Sequence, residues 1–149
     1  AGGFDMGPVV DTSAKAFEKM WRMNTLSCFL SCREAVRAMR KSGKGGRIVN
    51  VAARQAVEPV GGMIAYTTSK AGVASITECL AREVSGDGIL VNAILPSLID
   101  TPANRSAMPD ADFDRWPKPA ELAQAVAIAV SESNAICSGA LLPLYGKQL

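Results

Sequence analysis

The stretch Ala65-Tyr66-Thr67-Thr68-Ser69-Lys70-Ala71-Gly72 determines the predicted fold. If this stretch is helical, Tyr66 and Lys70 lie one turn apart on the same face of the helix. A tyrosine and a lysine at this spacing are common by chance. The pair is a specific signal only in combination with the segments that flank it.

Two short apolar runs flank this helix and are typical of buried parallel strands. One occupies residues 47–52 after a glycine pair, and the other occupies residues 89–95 and ends at Pro96. Nearly continuous apolar runs are expected of strands that are covered on both faces. Between the runs, an amphipathic segment from about 64 to 85 predicts a helix. The local order is therefore strand, helix, strand and a proline-led loop.

The remaining chain predicts further helices and one more strand. Residues 11–13, Asp-Thr-Ser, are good N-cap residues for a long helix that runs to about Lys41. Residues 96–117 contain four prolines and predict a loop with one short helix near 101–107. Helix 119–131 and a strand at 141–144 follow. This alternation predicts an α/β fold, a doubly wound (Rossmann-type) parallel sheet flanked by helices, in one domain over 1–149.

Composition and charge exclude several classes of protein. The chain has 149 residues, of which 48% are hydrophobic and 20% charged, as expected for a single globular domain with a sizeable core. The net charge of +2 is too small to indicate a nucleic-acid partner. No apolar run is long enough to span a bilayer, and the first residues lack the pattern of a signal peptide. We therefore expect a cytoplasmic protein with no membrane partner.

The cysteines do not form a recognisable metal motif. Cys28 and Cys32 have helical i, i+4 spacing, which favours packing on one face over metal binding, and Cys79 and Cys137 stand alone. We predict four reduced thiols and no metal site. The chain also has no histidine, which removes the usual neutral-pH base from a Ser-His or Cys-His mechanism.

The strand–helix–strand–loop order around Tyr66 and Lys70 resembles the catalytic half of the short-chain dehydrogenase/reductase family. The resemblance implies an NAD(P)-dependent oxidoreductase that uses NADH or NADPH on a small-molecule substrate. It implies that Tyr66 gives a proton to the substrate while nicotinamide delivers hydride, and that Lys70 also holds the nicotinamide ribose. A phenol has an ordinary pKa of about 10, and a nearby ammonium favours its phenolate. We therefore expect Lys70 to lower the pKa of Tyr66.

The resemblance also assigns roles outside the Tyr66 helix. It places an asparagine at Asn24, where the side chain orders a water of the proton relay; the alternative is an ordinary surface asparagine. It further implies that residues of the loop after the second strand approach the nicotinamide, namely Pro96, Ser97, Leu98 and Thr101.

One position departs from the family pattern. The family has a serine thirteen residues before the tyrosine, and this chain has Ala53 there, with no hydroxyl to polarise a carbonyl. The loop over 99–116 is similar to that of dihydropteridine reductases, a branch that also has alanine at this position. This similarity implies a small planar imine or carbonyl substrate such as a pterin. Phe113 and Trp116 could cover such a substrate or anchor the loop, and the loop's polar residues, Asp100, Asn104 and Arg105, are expected to brace it.

The glycine-rich turn of a dinucleotide fold is missing from this sequence. The opening Ala1-Gly2 resembles the end of the family's Asn-Asn-Ala-Gly motif, so we expect that about the first third of a usual chain is absent and that this chain alone is impaired. The alternative function is a catalytically dead remnant that acts as an interaction module. The family dimerises through the helices that match 12–41 and 64–85, which implies a homodimer or homotetramer.

Overall fold

Three parallel strands form the centre of the structure, a computed structural model that describes residues 2–148. They are β1 (Gly46–Val51), β2 (Ile89–Pro96) and β3 (Leu141–Leu144), in the order β1-β2-β3. Gly46 is in register with Ile89, and Ala93 with Leu141. The predicted parallel α/β sheet is therefore confirmed. The last strand forms despite Pro143 because it pairs along only one side within the described chain.

Helices connect and flank these strands close to the predicted bounds. The chain forms α1 (Ala14–Trp21), a π-helical turn (Arg22–Leu26), α2 (Ser27–Ser42), α3 (Ile64–Glu83), α4 (Pro102–Ala107) and α5 (Pro119–Val130). Short 3-10 turns lie at Val9–Asp11, Arg54–Ala56, Ser85–Asp87 and Phe113–Arg115. The predicted long helix over 12–41 is confirmed, and the π turn lies within it, where the flanking residues Trp21 and Ser27 keep helical backbone angles.

Local signals in the sequence explain where the first helices begin and end. The Ser13 hydroxyl accepts a hydrogen bond from the Ala16 amide (3.1 Å) and caps α1. Gly43 ends α2 with a left-handed φ of 67°. The Thr101 hydroxyl caps α4 in the same way as Ser13 caps α1, accepting from the Asn104 amide at 3.2 Å.

Helices α2 and α3 cover one face of the sheet. Val36 of α2 and Ala81 of α3 pack against Ile89 and Val91, whose side chains point to the same side of β2. The opposite face is covered by α5 and the segment that follows it. Arg47 of β1 points to that face and donates from Nε to the carbonyl of Asn134, 2.9 Å away.

A buried asparagine joins β2 to the chain that leads into β3. Asn92 is 1% exposed, and its amide nitrogen donates to the carbonyl of Cys137 at 2.8 Å. Its Oδ1 accepts from the Ala140 amide at 2.9 Å. Because both ends of the buried amide are satisfied, Asn92 fixes the approach of β3 to the sheet.

Within residues 2–148, β1 pairs on one side only, with β2. Its other side faces an open groove that Asn50, Lys70 and Val73 help to line. None of the helices in the described chain combines the length and apolarity needed to cross a bilayer.

Candidate active site

The predicted site residues lie on elements that meet at one edge of the sheet. In a parallel sheet all carboxyl ends lie together, and here they lead into Ala52, Ser97 and Tyr145. Helix α3 begins at Ile64, so that Tyr66 and Lys70 occupy its first two turns. The fold therefore brings three loops and the start of α3 into the same region.

Lys70 is buried and held by the backbone of β1. The residue is 9% exposed, and its Nζ donates to the carbonyl of Val51 at 2.9 Å. Burial lowers the pKa of Lys70, and the neighbouring Cys28 sulfur partly opposes that shift. An ammonium has three donors, and this contact uses one of them. Lys70 can therefore bind a further acceptor without releasing Val51.

Tyr66 is half-buried under an aromatic side chain from the beginning of the chain. The Phe4 and Tyr66 ring centroids are 5.0 Å apart with an interplanar angle of 72°, an edge-to-face contact. Burial raises the pKa of Tyr66 above its ordinary value. The prediction that Lys70 lowers this pKa is therefore wrong for this structure, where burial of the phenol determines the shift and Nζ of Lys70 is bonded to Val51.

Asn24 lies in the π turn and is 3% exposed, so the alternative of a surface asparagine is excluded. Its amide nitrogen donates to the carbonyl of Gly3 (3.0 Å) and to the Ser69 hydroxyl (2.9 Å). Its Oδ1 accepts from the Gly3 amide at 3.0 Å. The Ser69 hydroxyl in turn donates to the carbonyl of Tyr66 at 2.7 Å. Asn24 thus connects the first loop of the chain to the turn of α3 that carries Tyr66.

Sequence reasoning missed three residues that contact Asn24 or Tyr66, namely Gly3, Phe4 and Ser69. Ser69 lies inside the Tyr66–Lys70 stretch, but the pattern does not indicate which neighbour its hydroxyl faces. Gly3 and Phe4 lie in an irregular loop far from Tyr66 along the chain, and no periodicity indicates their contacts.

The loop after β2 is held by the last described residues. The Ser97 hydroxyl donates to the carbonyl of Tyr145 at 3.0 Å. The side-chain amide of Gln148 donates to the Ser97 hydroxyl and to the carbonyl of Leu98, both at 3.0 Å. Pro96 is buried at the end of β2. Pro96, Ser97 and Leu98 therefore lie together at the sheet edge, while Thr101 lies further on, at the start of α4.

The two aromatic residues of the loop pack against each other. Trp116 is 6% exposed, and its ring centroid lies 5.0 Å from that of Phe113. The Arg105 guanidinium covers Phe113 at 4.7 Å, and it also binds both carboxylate oxygens of Asp100 at 2.5 and 2.9 Å. Asn104 donates to the carbonyl of Ile99 at 2.7 Å. The burial of Trp116 fits the anchoring role, and the expected bracing of the loop by its polar residues is confirmed.

Ala53, at the sequence position where the family has its serine, is 4% exposed and lies two residues after the end of β1. Next to it, the Arg54 guanidinium lies 4.6 Å from the Tyr145 ring and donates to Glu58 at 2.6 Å. Arg54 also donates to the carbonyl of Gln148. These contacts tie the end of β1 to the end of β3.

Comparison with known proteins agrees with this geometry. The sequence profile described as short chain dehydrogenase matches residues 1–112. The chain belongs to the short-chain dehydrogenase family. The 2-(R)-hydroxypropyl-CoM dehydrogenase of Xanthobacter autotrophicus is 31% identical over 155 aligned positions, which cover 97% of this chain and 62% of that relative.

Solved structures of short-chain dehydrogenases have the same fold. A 4-hydroxyisoleucine dehydrogenase complexed with NADH superposes with a TM-score of 0.88 at 26% identity, covering 99% of this chain and 66% of that one. An Agrobacterium tumefaciens structure with bound NADP has a TM-score of 0.92 at 26% identity, covering 99% and 64%. The chain thus spans somewhat less than two thirds of the length of these proteins.

Proposed function

We propose that this chain carries the proton-transfer half of an NAD(P)H-dependent oxidoreductase, with Tyr66 as proton donor. The observation that supports the proposal most directly is Lys70, a buried ammonium with unused donors one helical turn from Tyr66. Burying a charged group is costly, so its presence at the sheet edge favours a functional role.

The residues present fit the nicotinamide end of such a cofactor. Lys70 keeps donors for ribose hydroxyls beside an open groove of about 210 Å³, and Tyr66 lies on the same helix face. Residues of the braced loop, Pro96, Ser97, Leu98 and Thr101, would contact the nicotinamide amide. The bound cofactor, NADH or NADPH, would supply hydride. The NADH and NADP complexes among the structural relatives support a nicotinamide cofactor for this chain as well.

The chain's own groups would supply and replace the proton. A pKa raised by burial keeps Tyr66 protonated at neutral pH, which suits a group that donates a proton to the substrate oxygen or nitrogen. In this proposal Asn24 orders the water that returns the proton to Tyr66. Both amide hydrogens of Asn24 are donated to Gly3 and Ser69, so the remaining lone pair of Oδ1 or its backbone carbonyl would hold that water.

For the substrate, we propose a small planar imine or carbonyl compound, with a quinonoid pterin as the first candidate. The methyl group of Ala53 offers no hydrogen bond to a carbonyl oxygen, so a substrate that needs little polarisation is favoured. The similarity of the loop over 99–116 to dihydropteridine reductases supports the same choice.

A titration of NADH into the purified chain, followed by nicotinamide fluorescence, tests the cofactor proposal. We expect binding that Lys70→Ala removes and that Lys19→Ala, a change at an exposed lysine of α1, leaves intact. Absence of binding at millimolar NADH would mean that this chain has no working cofactor site. If NADH binds, quinonoid dihydropterin and a simple ketone are compared as substrates of the same preparation.

Association is the second candidate function, and an exposed apolar surface supports it. Four large side chains of α1 and α2 are 37–46% exposed: Phe17, Trp21, Phe29 and Leu30. A groove of about 350 Å³ between α2 and α3 continues this surface. We propose that the chain forms a homodimer or homotetramer through the predicted helices 12–41 and 64–85.

Sedimentation velocity tests this assembly. Phe29→Asp is expected to shift the chain toward monomer, whereas Ile128→Asp, at a 70% exposed position of α5, is expected to leave the assembly unchanged. A chain that sediments as a monomer at all concentrations would exclude it. Assembly without NADH binding would favour the interaction module over the reductase.

A further inference from the structure

Two thiols beside Lys70 have no role in the proposed reaction. Cys28 and Cys32 lie one turn apart in α2, and their sulfur atoms are 4.0 Å apart. The Cys32 thiol also donates to Oδ1 of Asn50 on β1, with the heavy atoms 3.3 Å apart. Both cysteines are free, so α2 presents an adjacent dithiol toward the first strand.

The dithiol ionises more readily than a single thiol. The pKa of Cys32 is lowered to about 7 because the Cys28 S–H donates a hydrogen bond to its thiolate. The same hydrogen bond, together with burial, raises the pKa of Cys28, so the pair holds its second proton tightly. A hydrogen bond that favours the Cys32 thiolate favours reaction at this sulfur, because the thiolate is the nucleophile.

The geometry argues against a disulfide and against a tetrahedral metal site. Residues four apart on a helix have Cβ atoms about 5–6 Å apart, whereas a disulfide needs about 3.5–4.5 Å. Within residues 2–148, no third cysteine, histidine or carboxylate joins the pair to form a metal-binding group. The pair suits a ligand atom that bridges two sulfurs and needs no further protein ligand.

Each of the two cysteines is among the residues that line a groove, although Cys32 itself is only 4% exposed. Cys28 lines the groove of about 210 Å³ beside the free side of β1, together with Lys70. Cys32 lines the groove of about 350 Å³ between α2 and α3. A cavity of about 150 Å³ is known to accept a benzene ring, so either groove has room for one aryl group.

We infer that the Cys28–Cys32 dithiol is a binding site for trivalent arsenicals that carry one organic group. In the reaction R–As=O + 2 Cys–SH → R–As(S–Cys)₂ + H₂O, two As–S bonds form, the arsenic–oxygen bond breaks and the two thiol protons leave in water. Arsenic stays trivalent and both sulfurs keep their oxidation state, so no oxidant or reductant is needed. The inference stands independently of the proposed reductase activity.

Phenylarsine oxide and intact-mass spectrometry test this site on the full chain. We expect one equivalent to add with loss of water. Because the second As–S bond forms intramolecularly, the adduct should resist glutathione about 100-fold better than a single-thiol adduct, yet be reversed by a 1,2-dithiol. Cys28→Ser and Cys32→Ser are each expected to abolish this resistant adduct, while Cys79→Ser, at an exposed cysteine of α3, should retain it.

A second measurement on the unmutated chain covers the case in which a serine variant fails to fold. Alkylation with iodoacetamide before and after phenylarsine oxide should show protection of Cys28 and Cys32 and none of Cys137, which lines neither groove. Binding to the folded state should also raise the melting temperature. A resistant adduct that survives in Cys28→Ser, or equal protection of all four cysteines, would overturn the inference.

Discussion

Replacing Asn24 by alanine tests how the candidate site is held together. The substitution removes three hydrogen bonds of 2.9–3.0 Å from a residue that is 3% exposed. A typical hydrogen bond contributes about 1 kcal/mol net. The Gly3 amide and carbonyl are only partly buried and regain water, so we expect a loss of about 2–3 kcal/mol in the free energy of unfolding.

Urea unfolding measures this loss. With an m-value of about 2 kcal/mol/M for a chain of this size, the unfolding midpoint should fall by about 1 M. Arg22→Ala is the matched control within the same π turn. It removes only an exposed ion pair with Glu18 and should cost less than about 0.5 kcal/mol.

The same variant should also change the environment of Tyr66. Asn24 holds Gly3, the neighbour of Phe4, and Phe4 packs on the Tyr66 ring. When the loop is released, the pKa of Tyr66 should fall back toward about 10, as followed by phenolate absorbance. A midpoint unchanged within about 0.3 M would refute the reasoning, because the Asn24 amide would then not hold the loop.

Three further predictions follow from the site. Burial raises the pKa of Tyr66, so above a pH of about 10 the folded state binds more protons than the unfolded state. The stability that this group contributes is therefore complete below a pH of about 10 and is lost as the pH rises further. Tyr66→Phe should flatten that decline in urea titrations at high pH. In Gly72→Ala, the new Cβ would lie 2.6 Å from Cγ2 of Thr25, so we expect about 1–3 kcal/mol of destabilisation, and a double-mutant cycle with Thr25→Ala should recover most of it. Ala53→Ser supplies the missing donor and should raise kcat on a simple ketone by up to about 100-fold in any preparation that binds NADH, with a smaller gain on dihydropterin; equal gains on both would contradict the role given to Ala53.

Local patterns in the sequence were sufficient for the elements and for the placement of Tyr66 and Lys70 on one helix. The apolar runs predicted β1 and β2, because strands buried on both faces leave no polar alternation. The spacing of Tyr66 and Lys70 predicted that both side chains share a helix face. Proline and cap residues located α4 and α5 to within a residue or two.

Other properties depend on contacts between distant parts of the chain, and only the tertiary structure decided them. Phe4 packs on Tyr66 and so contributes to the burial that raises the pKa of Tyr66. This direction is opposite to the lowering that was predicted from the neighbouring Lys70. Likewise, Gln148 holds Ser97 and Leu98 from the far end of the chain. Burial and hydrogen-bond partners of this kind arise only when separate segments pack together. The sequence by itself determined the elements and the spacing of Tyr66 and Lys70, and the packing determined which other residues contact them and how they ionise.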